Sequence, residues 1–125
     1  MARILVIEDN AANMRLASLL LRNARHEVLC AVDAEIGLTM ARNELPDLIL
    51  MDIQLPGMDG LAATELLKQD RITAKIPVIA LTALAMKEDQ ERSQSAGCDA
   101  YIAKPLCYRD LYAAIEALLL SGVAP

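Results

Sequence analysis

Residues 47–60 read DLILMDIQLPGMDG, and this stretch decides the fold. It places Asp52 directly after four apolar residues at 48–51 and follows it with a turn that contains Pro and Gly. A short apolar run bounded by turn residues is typical of a strand buried on both faces of a parallel sheet. A carboxylate at the end of such a strand costs free energy unless a cation or hydrogen-bond donors meet it. The stretch therefore predicts a buried strand, and a partner for Asp52 elsewhere in the chain.

Four more apolar runs of this kind lie at residues 4–7, 28–32, 78–81 and 100–103. Candidate helices separate and follow the five runs, at residues 12–24, 34–42, 61–69, 86–95 and 109–120. The stretch at 86–95 is assigned as a helix because Gly97 supplies a C-terminal stop. Regular alternation of strand and helix predicts an α/β fold, with helices on both faces of a parallel sheet. We expect one domain at residues 1–120 and a frayed tail at 121–125. The fourth helix, with almost no apolar face, should be the least firmly packed.

The composition excludes several classes of protein. The 125 residues are 55% hydrophobic and contain no Trp or Phe, which predicts one aliphatic core. A formal net charge of −5 argues against nucleic acid or an anionic membrane as the main partner. The sequence has neither a cleavable signal pattern nor an apolar segment long enough to span a membrane, so we expect a cytoplasmic protein.

The cysteines and the single histidine point to no site of their own. Cys30, Cys98 and Cys107 are widely spaced and odd in number, which predicts neither a disulfide framework nor a zinc site. Cys30 lies in an apolar run and is expected to be a small buried hydrophobe. His26 lies in a polar turn, RNARHEV, and is expected to be a solvated loop residue.

Polar residues that could form one site follow the apolar runs at 4–7, 48–51, 78–81 and 100–103. Ligands of an open parallel sheet bind outside the carboxyl ends of its strands, so these residues should converge. They are Glu8, Asp9, Asp52, Thr82 and Lys104. Three neighbouring carboxylates repel one another unless a cation intervenes, and a set of oxygen ligands without His or Cys suits Mg²⁺. Together with an ammonium and a hydroxyl, they describe a site for a phosphoryl group, with an aspartate as nucleophile.

Each of these residues also has a structural interpretation. Asp9 could be the N-cap of the first helix, and Thr82 could cap the fourth. Lys104 alone could be a surface lysine. Asp59, between two glycines, is better explained as a turn or helix-start residue than as part of the site. Tyr101 could be a half-buried strand aromatic whose hydroxyl reaches water.

The order of these motifs resembles the receiver domain of two-component response regulators, the CheY-like family. The motifs are the Glu8-Asp9 pair, LILMDIQLPGMDG around Asp52, Thr82-Ala83 and Lys104-Pro105. The segments LILMDIQLP and LTALAMK are similar to those of single-domain regulators of the DivK type. The resemblance covers nearly the whole chain. It implies a doubly wound (βα)5 fold whose five-stranded parallel sheet has the strand order 2-1-3-4-5.

The resemblance also implies roles for single residues. Asp52 would accept the phosphoryl group, and Thr82 and Lys104 would hold its oxygens. Asp9, Asp52 and the carbonyl of Gln54 would bind Mg²⁺, with Glu8 helping through water. Tyr101 would be the switch aromatic that turns inward when Thr82 moves. The Lys104–Pro105 peptide bond would be cis.

Partners follow from the same resemblance. A sensor histidine kinase or histidine phosphotransferase would donate the phosphoryl group. With no effector domain after Leu120, we expect output through a protein-binding surface on a monomer or weak dimer. That surface would combine the helix at 86–95, the strand at Tyr101 and the helix from Arg109.

Two residues depart from the usual pattern of the family. Cys107 stands where a better capping residue would start the last helix. Leu84 is apolar where many relatives carry a polar group, and it is expected to limit water access to phosphorylated Asp52.

Two rival functions fit the sequence less well. A Mg²⁺-dependent phosphohydrolase of the haloacid-dehalogenase type needs a general acid two residues after its nucleophile, where this chain has Gln54. A nucleotide or flavin binder needs a first turn that cradles phosphate, whereas IEDNAAN has no glycine and would repel an anion. The chain is therefore expected to be a binding module that phosphorylates itself and slowly hydrolyses the product, not an enzyme acting on a separate metabolite.

Overall fold

A computed structural model describes residues 2–55, 57–82 and 87–123. The strands are β1 (Arg3–Ile7), β2 (Glu27–Ala31), β3 (Leu48–Asp52), β4 (Val78–Thr82) and β5 (Ala100–Ala103). The helices are α1 (Ala11–Asn23), α2 (Ala34–Glu44), α3 (Gly60–Gln69), α4 (Lys87–Ala96) and α5 (Tyr108–Val123). The predicted alternation of strand and helix is confirmed.

The five strands form one parallel sheet in the order β2-β1-β3-β4-β5. This is the order that the family resemblance implied. Every residue of the two central strands β3 and β4 is buried, which explains their uninterrupted apolar sequences. The carboxyl ends of β1, β3, β4 and β5 therefore lie beside one another at one edge of the sheet.

Successive residues of β1 point to opposite faces of the sheet and belong to two separate cores. On one face Ile4 and Val6 pack with residues of α1 and α5. On the other face Leu5 and Ile7 pack with residues of α2 and α3. Both cores are aliphatic, as the composition predicted.

Three helices start from polar caps just beyond strand ends. Asn10, Asp33 and Asp59 accept backbone N–H hydrogen bonds from Asn13, Ile36 and Ala62 at 2.8–2.9 Å. Asp59 is thus the helix-start residue that the sequence indicated. The alternative interpretation of Asp9 as the cap of α1 was wrong, because the next residue, Asn10, has the cap conformation and accepts the bond.

Two other expectations were wrong. Cys30 is exposed, because β2 is an edge strand and only Ala31 of its five residues is buried. His26 is half-buried rather than solvated, and its Nδ1 accepts the Ala2 N–H at 3.1 Å. Burial lowers the pKa of His26.

The helix ends lie within three residues of the expected ones. α5 runs to Val123, so residues 121–123 belong to a helix and not to the predicted tail. Leu84, expected to limit water access to phosphorylated Asp52, and Met86, the expected first residue of the fourth helix, lie outside the described residues, as do Ala124 and Pro125. Within the described chain, no helix is long and apolar enough to cross a membrane.

Candidate functional site

Lys104 lies between two buried carboxylates. Its Nζ is 2.9 Å from Glu8 Oε2 and 3.1 Å from Asp52 Oδ2. The side chains of Glu8 and Asp52 are 2% and 4% exposed, and that of Lys104 is 17% exposed. Residues from the ends of β1, β3 and β5 therefore meet in one ion triad, and Lys104 is the partner that the buried Asp52 requires.

The backbone fixes the second oxygen of each carboxylate. Glu8 Oε1 accepts the N–H of Asn10 at 3.1 Å, and Asp52 Oδ1 accepts the N–H of Gln54 at 2.9 Å. Each carboxylate thus has one oxygen on an amide and the other on the Lys104 ammonium. The two groups are held in orientation before any ligand arrives, because both oxygens of each are already bound.

Burial and charge act on the ionisation of the triad. Burial raises the pKa of Glu8, although the hydrogen bond from Lys104 opposes this. Burial alone would lower the pKa of Lys104, but its hydrogen bond to Glu8 and the charge of Asp52 outweigh that effect and raise it. Lys104 is therefore a firmly charged ammonium at neutral pH.

Asp9 completes a group of three acids at this edge. Ligand oxygens of Glu8, Asp9 and Asp52 all lie within 4.8 Å of one another. Asp9 is exposed, so the group opens to solvent on its side. Carboxylate oxygens on a partly open cluster suit Mg²⁺, which prefers hard oxygen ligands and retains several waters. The donor set thus fits the magnesium ion that the family resemblance implied.

Thr82 and Tyr101 lie on the neighbouring strands. Thr82 ends β4 and is 1% exposed, while Tyr101 is half-buried in β5, opposite Ala80. The backbone carbonyl of Thr82 accepts the N–H of Lys104 at 2.6 Å, which joins the ends of β4 and β5 directly. The Lys104–Pro105 peptide bond is cis. Gln54 is exposed and adjoins the triad through its amide.

Sequence reasoning missed Gly60. A Cβ atom at this first residue of α3 would collide with the carbonyl oxygen of Asp52 and lie 2.6 Å from Ile53 Cα. Gly60 thus lets α3 approach the backbone that carries Asp52. The available signal was a glycine directly after a helix cap, beside the end of a buried strand.

Comparisons with known proteins agree with this geometry. Residues 4–116 match the model of the response regulator receiver domain family. The polar-differentiation response regulator DivK of Brucella ovis is 47% identical over 103 residues, which are 82% of this chain and 84% of that protein.

Solved structures show the same fold. The receiver domain of a sensor histidine kinase from Pseudomonas aeruginosa PAO1, solved with a magnesium ion coordinated in its active site cleft, superposes with a TM-score of 0.88. It is 32% identical and covers 94% of this chain and 97% of its own. A CheY-like receiver domain protein from Methanospirillum hungatei has a TM-score of 0.89 at 34% identity and covers 98% and 96%. The chain belongs to the response regulator receiver domain family of two-component systems.

Proposed function

We propose that this chain is a single-domain response regulator in which Asp52 accepts a phosphoryl group from a phosphohistidine. The donor is a sensor histidine kinase or a histidine phosphotransferase, and the reaction requires Mg²⁺. The observation that carries the proposal is the position of Lys104 Nζ, 2.9 Å from Glu8 and 3.1 Å from Asp52, beside the third acid Asp9. Family membership and the similarity to DivK support it.

The chemistry follows from the groups at the sheet edge. A carboxylate oxygen of Asp52 attacks phosphorus, the bond from phosphorus to the donor imidazole breaks, and an acyl phosphate forms. The electron pair of the broken bond leaves with the imidazole, which departs in its neutral, protonated-nitrogen form. The carboxylate loses its charge in the acyl phosphate, and the charged phosphoryl oxygens now at this position can pair with the Lys104 ammonium, which lies 3.1 Å from Asp52 Oδ2. The Thr82 hydroxyl, at the end of the next strand, supplies a hydrogen-bond donor.

Magnesium, when bound, supplies the positive charge that offsets the repulsion between the acids and the phosphoryl oxygens. Asp9 and Asp52, with the Gln54 carbonyl, would hold it, and Glu8 would contribute through water. The exposed position of Asp9 leaves room for the waters that this ion retains.

Output would use the surface formed by α4, β5 and α5. Glu88 and Glu91 of α4 are exposed. Tyr101, in the strand β5 that follows α4, is half-buried. A new charge on Asp52 that draws Thr82 towards it would pull on the β4–β5 junction, because the Thr82 carbonyl is bound to the Lys104 amide. A downstream protein would read the resulting change in this surface. The chain would act on itself and on protein partners rather than on a metabolite.

The test is intact-mass spectrometry after incubation with acetyl phosphate, with and without Mg²⁺. We expect a gain of one phosphoryl group that requires Mg²⁺ and disappears in Asp52→Asn. Asp47→Asn is the matched control, since Asp47 precedes β3 at the opposite edge of the sheet and caps the Arg3 amide there. Label that persists in Asp52→Asn would mean that Asp52 is not the acceptor, and absence of label in the wild type would contradict the proposal.

A further inference from the structure

Three residues of α3 form one line along the helix. Gly60, Thr64 and Lys68 are spaced four residues apart, and such residues lie on the same face of a helix. This line, which we call the α3 spine, begins beside Asp52 and ends beside the C-terminus of α4. It therefore connects the candidate phosphorylation site to one end of the candidate output helix.

The spine is fastened to β3 at its start. The space where Gly60 would carry a Cβ atom is filled by the backbone of Asp52 and Ile53. The Gly60 N–H donates to the Ile53 carbonyl at 3.3 Å. In the next turn Thr64 is fully buried, and its hydroxyl donates to the Gly60 carbonyl at 2.8 Å. The first two turns of α3 are thus fixed relative to the strand end that carries Asp52.

The ammonium of Lys68 holds the far end of the spine. Its Nζ donates to the carbonyls of Ile76 and Ala74 at 2.8 and 3.3 Å and to Asp99 Oδ2 at 3.0 Å. The same Asp99 oxygen accepts the N–H of Val78 at 2.9 Å. One cation therefore joins the end of α3, the start of β4 and the turn that leads into β5.

That turn is also where α4 ends. Gly97, with φ of +104°, lies against the aliphatic part of Lys68, and a Cβ atom there would be 2.8 Å from Lys68 Cγ. The N–H of Cys98 bonds back to the Ser93 carbonyl at 3.0 Å, and the N–H of Asp99 bonds to the Val78 carbonyl at 2.8 Å. The last turn of α4 is consequently tied to both α3 and the sheet.

The last turn of α4 is also fastened by burial. Of the α4 side chains that the structure describes, Ser93 and Ala96 are buried, and both belong to the last four residues. The earlier Glu88, Gln90 and Glu91 are exposed. The described buried side chains therefore hold the last turn of α4 against the rest of the domain.

We propose that Lys68 anchors a pivot at residues 97–99, about which the N-terminal part of α4 moves while its C-terminal turn stays in place. The idea rests on the proposed function in so far as phosphorylation of Asp52 supplies the displacement. The α3 spine fixes the position of the pivot relative to Asp52, because its first turns contact β3 and its last turn contacts residues 97–99. Phosphorylation would then tilt α4 rather than shift or unfold it as a whole.

The anchor is tested in the unphosphorylated full-length chain by hydrogen–deuterium exchange with Lys68→Met, which keeps the aliphatic stem against Gly97 but removes the charge. We expect the amides of residues 97–99 and of the last turn of α4 to exchange about tenfold faster. Lys75→Met is the matched control, because Lys75 is an exposed lysine in the turn before β4, and it should leave these amides unchanged. Unchanged exchange in Lys68→Met, or an equal rise throughout the domain, would overturn the anchor.

A second variant covers loss of folding in the first. Asp99→Asn keeps an acceptor for the Val78 amide but loses the ion pair, and should give a smaller increase at the same amides. Circular dichroism checks that each variant is folded. If Asp99→Asn is folded and exchanges like the wild type at residues 97–99, the ion pair does not anchor the turn.

The pivot itself is tested on the wild type with acetyl phosphate and Mg²⁺, with phosphoryl uptake followed by mass in the same sample. We expect exchange to change in the first turns of α4 and to stay constant at residues 97–99. An equal change along all of α4 would refute the pivot. Failure of the wild type to gain mass would instead count against the proposed function, and the Lys68→Met comparison would still decide whether the anchor exists.

Discussion

Lys104 is the residue that makes two buried acids compatible with a folded protein. It contacts Glu8 and Asp52 at 2.9 and 3.1 Å in a region where both side chains have lost nearly all their water. Breaking a buried ion pair by removing one partner leaves uncompensated charge, which is far more costly than loss of a surface pair. The stability of the domain should therefore depend on this one ammonium.

We expect Lys104→Met to lower the free energy of unfolding by about 3 kcal/mol in EDTA, at the low end for a broken buried pair because exposed Asp9 lets water approach. Added Mg²⁺ should restore part of the loss. Urea denaturation followed by circular dichroism measures both effects, and Lys75→Met, at an exposed lysine, should change stability by no more than about 0.5 kcal/mol. A Lys104→Met protein as stable as the wild type in EDTA would show that the ammonium is not needed to offset the two acids.

The first residue of α3 lies so close to β3 that only a glycine fits there. Gly60 at this position and Gly57 in the preceding loop are both required, but for different reasons. Gly60 is required by contact with the Asp52 carbonyl. Gly57 has a φ of +75°, and among the described residues beyond its chain neighbours no atom lies within 4 Å of the position that a Cβ would take. Substitution of Gly60 therefore tests a steric effect, and substitution of Gly57 tests a backbone conformational effect, at the start of the same helix.

We expect Gly60→Ala to destabilise the protein by about 2–3 kcal/mol, because α3 must move away from the strand end. It should also slow phosphoryl uptake, because the displaced peptide carries Asp52. Gly57→Ala should cost about 1–2 kcal/mol, the penalty of a left-handed conformation, and leave uptake unchanged. Urea denaturation and the acetyl phosphate assay measure these effects, and equal uptake by the two variants would rule out a positioning role for Gly60.

The domain as a whole should gain stability from magnesium, because under the proposed function the ion would bind a cluster that exists only after folding. Glu8, Asp9 and Asp52 come from two strand ends that the sheet brings within 4.8 Å. Binding to the native state alone adds about 2.7 kcal/mol when the ion is a hundredfold above its dissociation constant. We expect this gain in urea denaturation of the wild type.

Asp9→Asn should lose most of that gain while keeping the stability of the metal-free protein, because it removes an exposed acid from a repelling cluster. Asp47→Asn, at the opposite edge of the sheet, should respond to Mg²⁺ like the wild type. If Asp9→Asn is stabilised as much as the wild type, the three acids do not form the magnesium site.

The sequence determined the order of elements and the residues at the strand ends. Buried parallel strands must be continuously apolar, so residues 47–60 and four similar runs predicted all five strands within one residue of their observed ends. Parallel strands place their carboxyl ends together. The positions of the following residues after the apolar runs were therefore enough to predict that they lie at one edge of the sheet: Glu8, Asp9, Asp52, Thr82 and Lys104. Local chemistry also indicated that Asp59 is a turn or helix-start residue, and in the structure it caps α3.

Only the tertiary structure decided how those residues meet. The sequence could not show that Lys104 reaches both Glu8 and Asp52, because that contact depends on the relative positions of β1, β3 and β5. The predicted strand order already placed β2 at the edge of the sheet, but only the structure showed that Cys30 is exposed there, although it lies in an apolar run. A hydrophobic pattern indicates that a residue is near the core. Its side-chain contacts and its exposure depend on packing between elements that lie far apart in the chain.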